Sequence, residues 1–126
     1  MEHAAATAEQ LADRYLQAWN EADPHKRRAL LGAVFAEDAS YVDPLAEVAG
    51  HAGLDALIAG MQAKFAGARF SAKGTPEIHH DRIRFSWTLG LPDRKLAEGT
   101  DVATVGADGR LRAVTGFLDY VAPGLQ

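Results

Sequence analysis

The stretch from Leu96 to Val121 most constrains what this chain can become. It reads as two β-prone runs, Ala97–Val105 and Arg110–Tyr120, separated by Ala107-Asp108-Gly109. An Asp-Gly pair between alternating runs signals a hairpin, because glycine takes positive φ without a steric penalty. Side chains alternate along a strand, so Asp101, Ala103 and Val105 share one face and Thr100, Val102 and Thr104 the other. On the second run, Leu111, Ala113, Thr115, Phe117 and Asp119 alternate against Arg112, Val114, Gly116, Leu118 and Tyr120. Both faces are partly apolar, so one can cover a core while the other offers a surface to a second subunit. Asp101 is the odd member of its face, an acid among small apolar residues.

The rest of the chain supplies the other elements. Thr7-Ala8-Glu9-Gln10 fits a capping box, and Leu11, Tyr15, Ala18, Trp19 and Ala22 then recur at helical spacing. Asp23-Pro24 caps and starts a second helix, expected over Pro24–Phe35, with Leu30, Leu31, Val34 and Phe35 as its apolar side. Its His25-Lys26-Arg27-Arg28 start reads as a solvated basic turn. Ala39 to Pro44 is a short strand stopped by proline, with Tyr41 and Asp43 projecting to the same side. A glycine-containing link, Gly50–Gly53, leads to a third helix over Leu54–Ala66. From Arg69 onward the pattern is all β: short strands around Gly74-Thr75-Pro76, then the clean alternation of Ile83, Phe85, Trp87 and Leu89 over Arg82–Leu89. Helices first and strands after predict an α+β fold, with the helices packed on one face of a sheet.

At 126 residues the chain is expected to form one domain spanning residues 1–126. A net charge of −4 argues against nucleic acid or an anionic membrane as partner. With no cysteine there is no disulfide, thiol nucleophile or cysteine metal site. No stretch is long or apolar enough to span a bilayer, and the N-terminus lacks the basic start and apolar core of a signal peptide, so a cytoplasmic location is expected. His79 and His80 are adjacent on a strand and point to opposite faces, and no His or carboxylate pair has ligand spacing. No metal and no cofactor is expected.

The order of two helices, a short strand ending in Asp-Pro, a third helix and a curved meander resembles the nuclear transport factor 2-like superfamily. That group includes ketosteroid isomerases, SnoaL-like polyketide cyclases and many non-enzymatic binders. The local matches are Arg14-Tyr15 with Ala18 and Asn20, Phe35-Ala36-Glu37-Asp38-Ala39 running to Asp43-Pro44, and Asp101 on its strand. The resemblance implies a cone-shaped α+β barrel, three helices lying on the concave face of a mostly antiparallel sheet. It also puts Tyr15 and Asp101 in an oxyanion hole, with Asp43 as the base that shuttles a proton. In the isomerases the two carboxyls are held in different protonation states, which the resemblance implies for Asp43 and Asp101 as well. The segment between the first helix and the Asp-Pro strand is longer here, and the Gly50–Gly53 link differs.

Each of these residues also has an ordinary role open to it. Asp43 before proline can bond its own backbone in an Asx turn. Tyr15 can be a core tyrosine whose hydroxyl has found a partner. A buried Asp101 must be paired, protonated or facing a wet cavity, and a one-residue slip would turn it to the other side. Trp19, Tyr41, Met61, Phe65, Trp87 and Phe117 are first of all core residues that can also line a ligand cavity. The leading expectation is a cofactor-independent isomerase or cyclase acting by acid–base chemistry on an apolar carbonyl compound. The rival is a non-catalytic ligand-binding or protein-interaction module of the same fold. A homodimer is expected through the outer sheet face, built from Val102, Thr104, Val114 and Leu118.

Overall fold

In the computed structural model, which describes residues 6–125, the chain runs α1 (Ala8–Asn20), α2 (Pro24–Val34), β1 (Phe35–Val42), β2 (Glu47–Ala49), α3 (Gly50–Lys64), β3 (Arg69–His79), β4 (Arg82–Leu91), β5 (Arg94–Val105) and β6 (Leu111–Val121). The first five residues, where a signal peptide was sought, lie outside the described residues. The capping box at α1 is present in both directions: Thr7 Oγ1 accepts from the Gln10 amide at 3.1 Å, and Gln10 Oε1 accepts from the Thr7 amide at 3.0 Å. Asp23 caps α2 by accepting from the amides of His25 and Lys26.

The strands form one sheet in the order β2-β1-β6-β5-β4-β3. β1 lies parallel to β6 and every other pair is antiparallel, so the sheet is mixed. It curves around the three helices without closing, leaving β2 and β3 as edges, which gives an open cone rather than a barrel. The core between the layers centres on Tyr15, whose ring stands 4.8 Å from Phe85 and 5.7 Å from Phe35. Among the described residues no helix is long and apolar enough to cross a membrane.

Several boundaries differ from the sequence reading. Phe35, expected to end α2, is instead the first residue of β1, fully buried. Leu31 and Phe35 satisfy i,i+4 spacing, and periodicity alone cannot decide an apolar residue at a helix–strand junction. The Gly50–Gly53 link is the first turn of α3, where Gly53 packs on β2: a Cβ there would stand 3.2 Å from Val48 Cβ. The two short strands around Gly74-Thr75-Pro76 are one strand, β3, with irregular pairing between Lys73 and Glu77. Arg27, expected in a solvated basic turn, is buried, its Nε donating to Asp55 Oδ1 of α3 at 2.6 Å. Asp55 lies far along the chain, beyond the reach of a local pattern.

The largest correction concerns β6. Ala103 pairs with Val114, but Val105 pairs with Leu111, so two residues of β6, Arg112 and Ala113, stand against one of β5, Thr104. That β-bulge inverts the parity of the strand beyond it. Val114 therefore lies in the core, 1% exposed, and Gly116 and Leu118 follow it inward. Phe117, opposite Thr100, turns to the outer face and is 56% exposed. Two of the four residues expected to build an apolar outer face are thus inside.

α1 is tied to the β3 edge by Asn20. Its Nδ2 donates to the Phe70 carbonyl and its Oδ1 accepts from the Phe70 amide, both at 2.8 Å, as a neighbouring strand would. Asn20→Ala is expected to lower unfolding stability by ~1–3 kcal/mol in urea denaturation, since it strands both backbone groups. A loss below about 0.5 kcal/mol would mean that solvent satisfies them.

Candidate functional site

Tyr15 and Trp19 are one helical turn apart on α1, so both side chains leave the helix toward the sheet. Opposite them, the inner face of β5 presents Asp101, and Tyr15 Oη donates to Asp101 Oδ2 at 2.6 Å. Asp101 is 2% exposed. Burial pushes its carboxyl up to about 6, and hydrogen bonding from Tyr15 and from the Trp87 indole opposes that rise only in part. Burial first, and then the charge of Asp101, holds the Tyr15 phenol well above its ordinary range. Tyr15 is therefore a donor throughout the working pH range.

Asp43 reaches the same place from the end of β1. Its Oδ1 accepts from the amides of Leu45 and Ala46 at 2.8 and 2.9 Å, the Asx turn that reverses the chain into β2. Its Oδ2 accepts from Tyr41 Oη at 2.6 Å, as two residues on one side of a strand allow. Burial, and then the bond to Asp43, raises the Tyr41 phenol as well. The turn and site readings of Asp43 are thus compatible: one oxygen fixes the carboxylate while the other faces the interior.

Gly116 on β6 lets the two acids approach. A Cβ at this position would stand 2.8 Å from Asp101 Oδ1 and 3.3 Å from Asp43 Cβ. A glycine inside a strand often marks such a close approach, which was the available sequence signal for a residue the pattern reading passed over.

These groups form the floor of a cavity of about 460 Å³. Tyr15, Asp43 and Asp101 all border it, and so do Trp19, Tyr41, Met61, Phe65 and Trp87. Phe117 touches its rim, but its exposed ring belongs to the outer face. Phe70 was missed: it borders the cavity from β3, its ring 5.5 Å from Trp19 and 5.1 Å from Trp87. Apart from the acids and tyrosines the wall is mainly aliphatic and aromatic. The arrangement offers a desolvated hydroxyl–carboxyl pair, a second carboxylate nearby and room for a flat apolar molecule.

The architecture and this floor define a cone-like α+β protein with an acid-bearing cavity. The SnoaL-like domain family matches residues 12–114. A solved structure from Agrobacterium tumefaciens str. C58, provisionally described as an isomerase of the SnoaL-like family, is 45% identical, with a TM-score of 0.86 over 90% of this chain and 97% of its own. The chain belongs to the SnoaL-like family, within the nuclear transport factor 2-like superfamily. A SnoaL-like protein of unknown function from Burkholderia thailandensis E264 has a TM-score of 0.73 at 12% identity, over 94% of this chain and all 100% of that one. A structure from Jannaschia sp. CCS1, provisionally described as a SnoaL-like polyketide cyclase, has a TM-score of 0.68 at 11% identity, over 94% and 92%. The last two show the fold alone. No curated protein matches the sequence.

Proposed function

We propose that the chain is a small-molecule isomerase or cyclase that works by acid–base chemistry on an apolar carbonyl compound. The observation that carries this reading is the Tyr15–Asp101 pair, 2.6 Å apart and buried, with Asp43 across Gly116. The 45% identical relative described as an isomerase supports the same class.

In the proposed reaction the substrate carbonyl oxygen seats at Tyr15 and protonated Asp101. Asp43 Oδ2 takes a proton from the carbon next to the carbonyl. The C–H electron pair forms the C=C bond of an enolate, and the carbonyl π pair moves onto oxygen. Tyr15 and Asp101 stabilise that charge where water is excluded. The enolate then collapses in one of two ways. It regains the proton from Asp43 at a different carbon, giving an isomer. Alternatively it forms a C–C bond to a second carbonyl carbon, whose oxygen takes the proton, giving a ring. The amide bonds to Oδ1 keep the carboxylate aimed through either course.

The test is α-proton exchange. Unsaturated cyclic ketones with the protein in D₂O, followed by proton NMR, are expected to lose α-hydrogen signal at a rate proportional to protein concentration. If no ketone of a steroid-like and polyketide-like panel exchanges, although several bind, the non-catalytic binding module takes the place of this reading.

A further inference from the structure

We propose that the Trp19 indole N–H is a third donor to the ligand's reacting oxygen, which makes the site selective for an oxyanion over a neutral carbonyl. This rests on the function proposed above and adds a ligand-selecting residue to it.

Trp19 Nε1 is buried, in a residue 6% exposed, and has no hydrogen-bond partner among the described residues. A buried donor left unpaired is costly, and native structures rarely keep one without a use. The indole cannot easily turn away. Tyr41 stands 5.6 Å and Phe70 5.5 Å from its ring, and Tyr15 lies one turn before it on α1. Its N–H closes no hydrogen bond to Tyr15, whose ring centroid stands 6.2 Å from that of Trp19. Trp19 also borders the cavity. An unused donor is therefore carried by a residue one helical turn from Tyr15, in the wall of the cavity that Tyr15 and Asp101 also line.

The number of donors matters chemically. A neutral carbonyl oxygen has two lone pairs, which Tyr15 and protonated Asp101 already satisfy. An enolate or phenolate oxygen has three, so only the charged species can use all three donors. An interaction made with the oxyanion and not with the ketone acts on the barrier rather than on ground-state binding.

The probes are 2-naphthol, which presents a phenolate-like oxygen, and 2-tetralone, its neutral ketone counterpart. In Trp19→Phe the ring remains and the N–H is lost. Naphthol affinity is expected to fall roughly 10- to 100-fold while tetralone affinity changes less than about threefold, as for a hydrogen bond to a charged group. Because the variant can also disturb packing, the wild-type protein supplies a second reading. Its two indole N–H signals, from Trp19 and Trp87, are resolved by ¹⁵N NMR, and that of Trp19 is expected to move downfield with naphthol and hardly at all with tetralone.

Equal weakening of both ligands, or of neither, would overturn the proposal, as would a Trp19 signal that stays in place when naphthol is bound. If those results appear while Tyr15→Phe still weakens naphthol, only the third donor is lost. If naphthol does not bind the wild-type protein at all, the oxyanion site and the third donor fall together.

Discussion

Asp43→Asn is expected to lower turnover by ~10²–10⁴-fold, the usual consequence of losing a proton shuttle, while ligand affinity holds within about threefold. Asparagine preserves the shape at this position. Its Oδ1 can still accept from the Leu45 and Ala46 amides that close the turn. Its amide nitrogen takes the place of Oδ2, where it can donate to the Tyr41 hydroxyl but cannot take up a proton. The variant thus separates the two roles of the residue, because the turn survives and the base does not. Steady-state rates on a ketone that undergoes exchange, beside calorimetric titration with 2-naphthol, measure both sides. Turnover within about threefold of wild type would remove Asp43 from proton transfer. Loss of binding in step with turnover would mean that its role is to hold the ligand instead.

What the sequence could disclose was set by how local each signal is. The capping box of α1, the proline start of α2 and the alternation of β4 are written in consecutive residues, and the structure has all three. Tyr41 and Asp43, two apart on one strand, meet for the same reason. Alternation set Asp101 on one face with Ala103, but which face met the core was left open by the sequence, since a one-residue slip reverses it, and the structure turns it inward. The β6 bulge was not local. Arg112 and Ala113 carry no glycine or other mark of an extra residue, and parity beyond them depends on which residue of β5 each faces. Val114 and Phe117 consequently changed faces. The same limit hid the Arg27–Asp55 pair and the approach of Phe70 to Trp19, both made between distant elements. It also hid the meeting of the acids across Gly116, which depends on β1 lying parallel to β6. The resemblance named Tyr15, Asp43 and Asp101 together, but periodicity and spacing alone could only set each on its own element.

Asp101→Leu is expected to remove both an oxyanion donor and a pH dependence of folding. Losing one donor of this kind costs ~10²–10³ in kcat, and naphthol affinity should fall with it. Naphthol bound as its oxyanion gives up a proton, so in the wild-type protein its affinity should rise with pH up to about 6, while Asp101 already holds its own proton, and level off above it, where the Asp101 carboxylate takes the proton. The leucine variant has no carboxylate to take that proton and should lack the break near pH 6. Stability follows from the same titration. The unfolded carboxyl releases its proton near 3.8, whereas the folded one holds it to about 6. Below 3.8 both states are neutral and the contribution to stability is fully present. Between the two values only the folded state binds the proton, so stability declines as pH rises, and above about 6 the decline is complete. A shift of this size, from 3.8 to about 6, corresponds to a loss on the order of 3 kcal/mol. Leucine removes the decline but leaves the Tyr15 hydroxyl without its acceptor, a penalty of ~1–3 kcal/mol at every pH. The variant should accordingly be the less stable protein at pH 4 and should close that gap, or overtake wild type, by pH 8. Urea unfolding of both proteins at the two pH values measures the difference. Parallel stability curves would show that Asp101 titrates alike in the folded and unfolded protein, and the hydroxyl–carboxyl pair would then not be a two-donor site near pH 6.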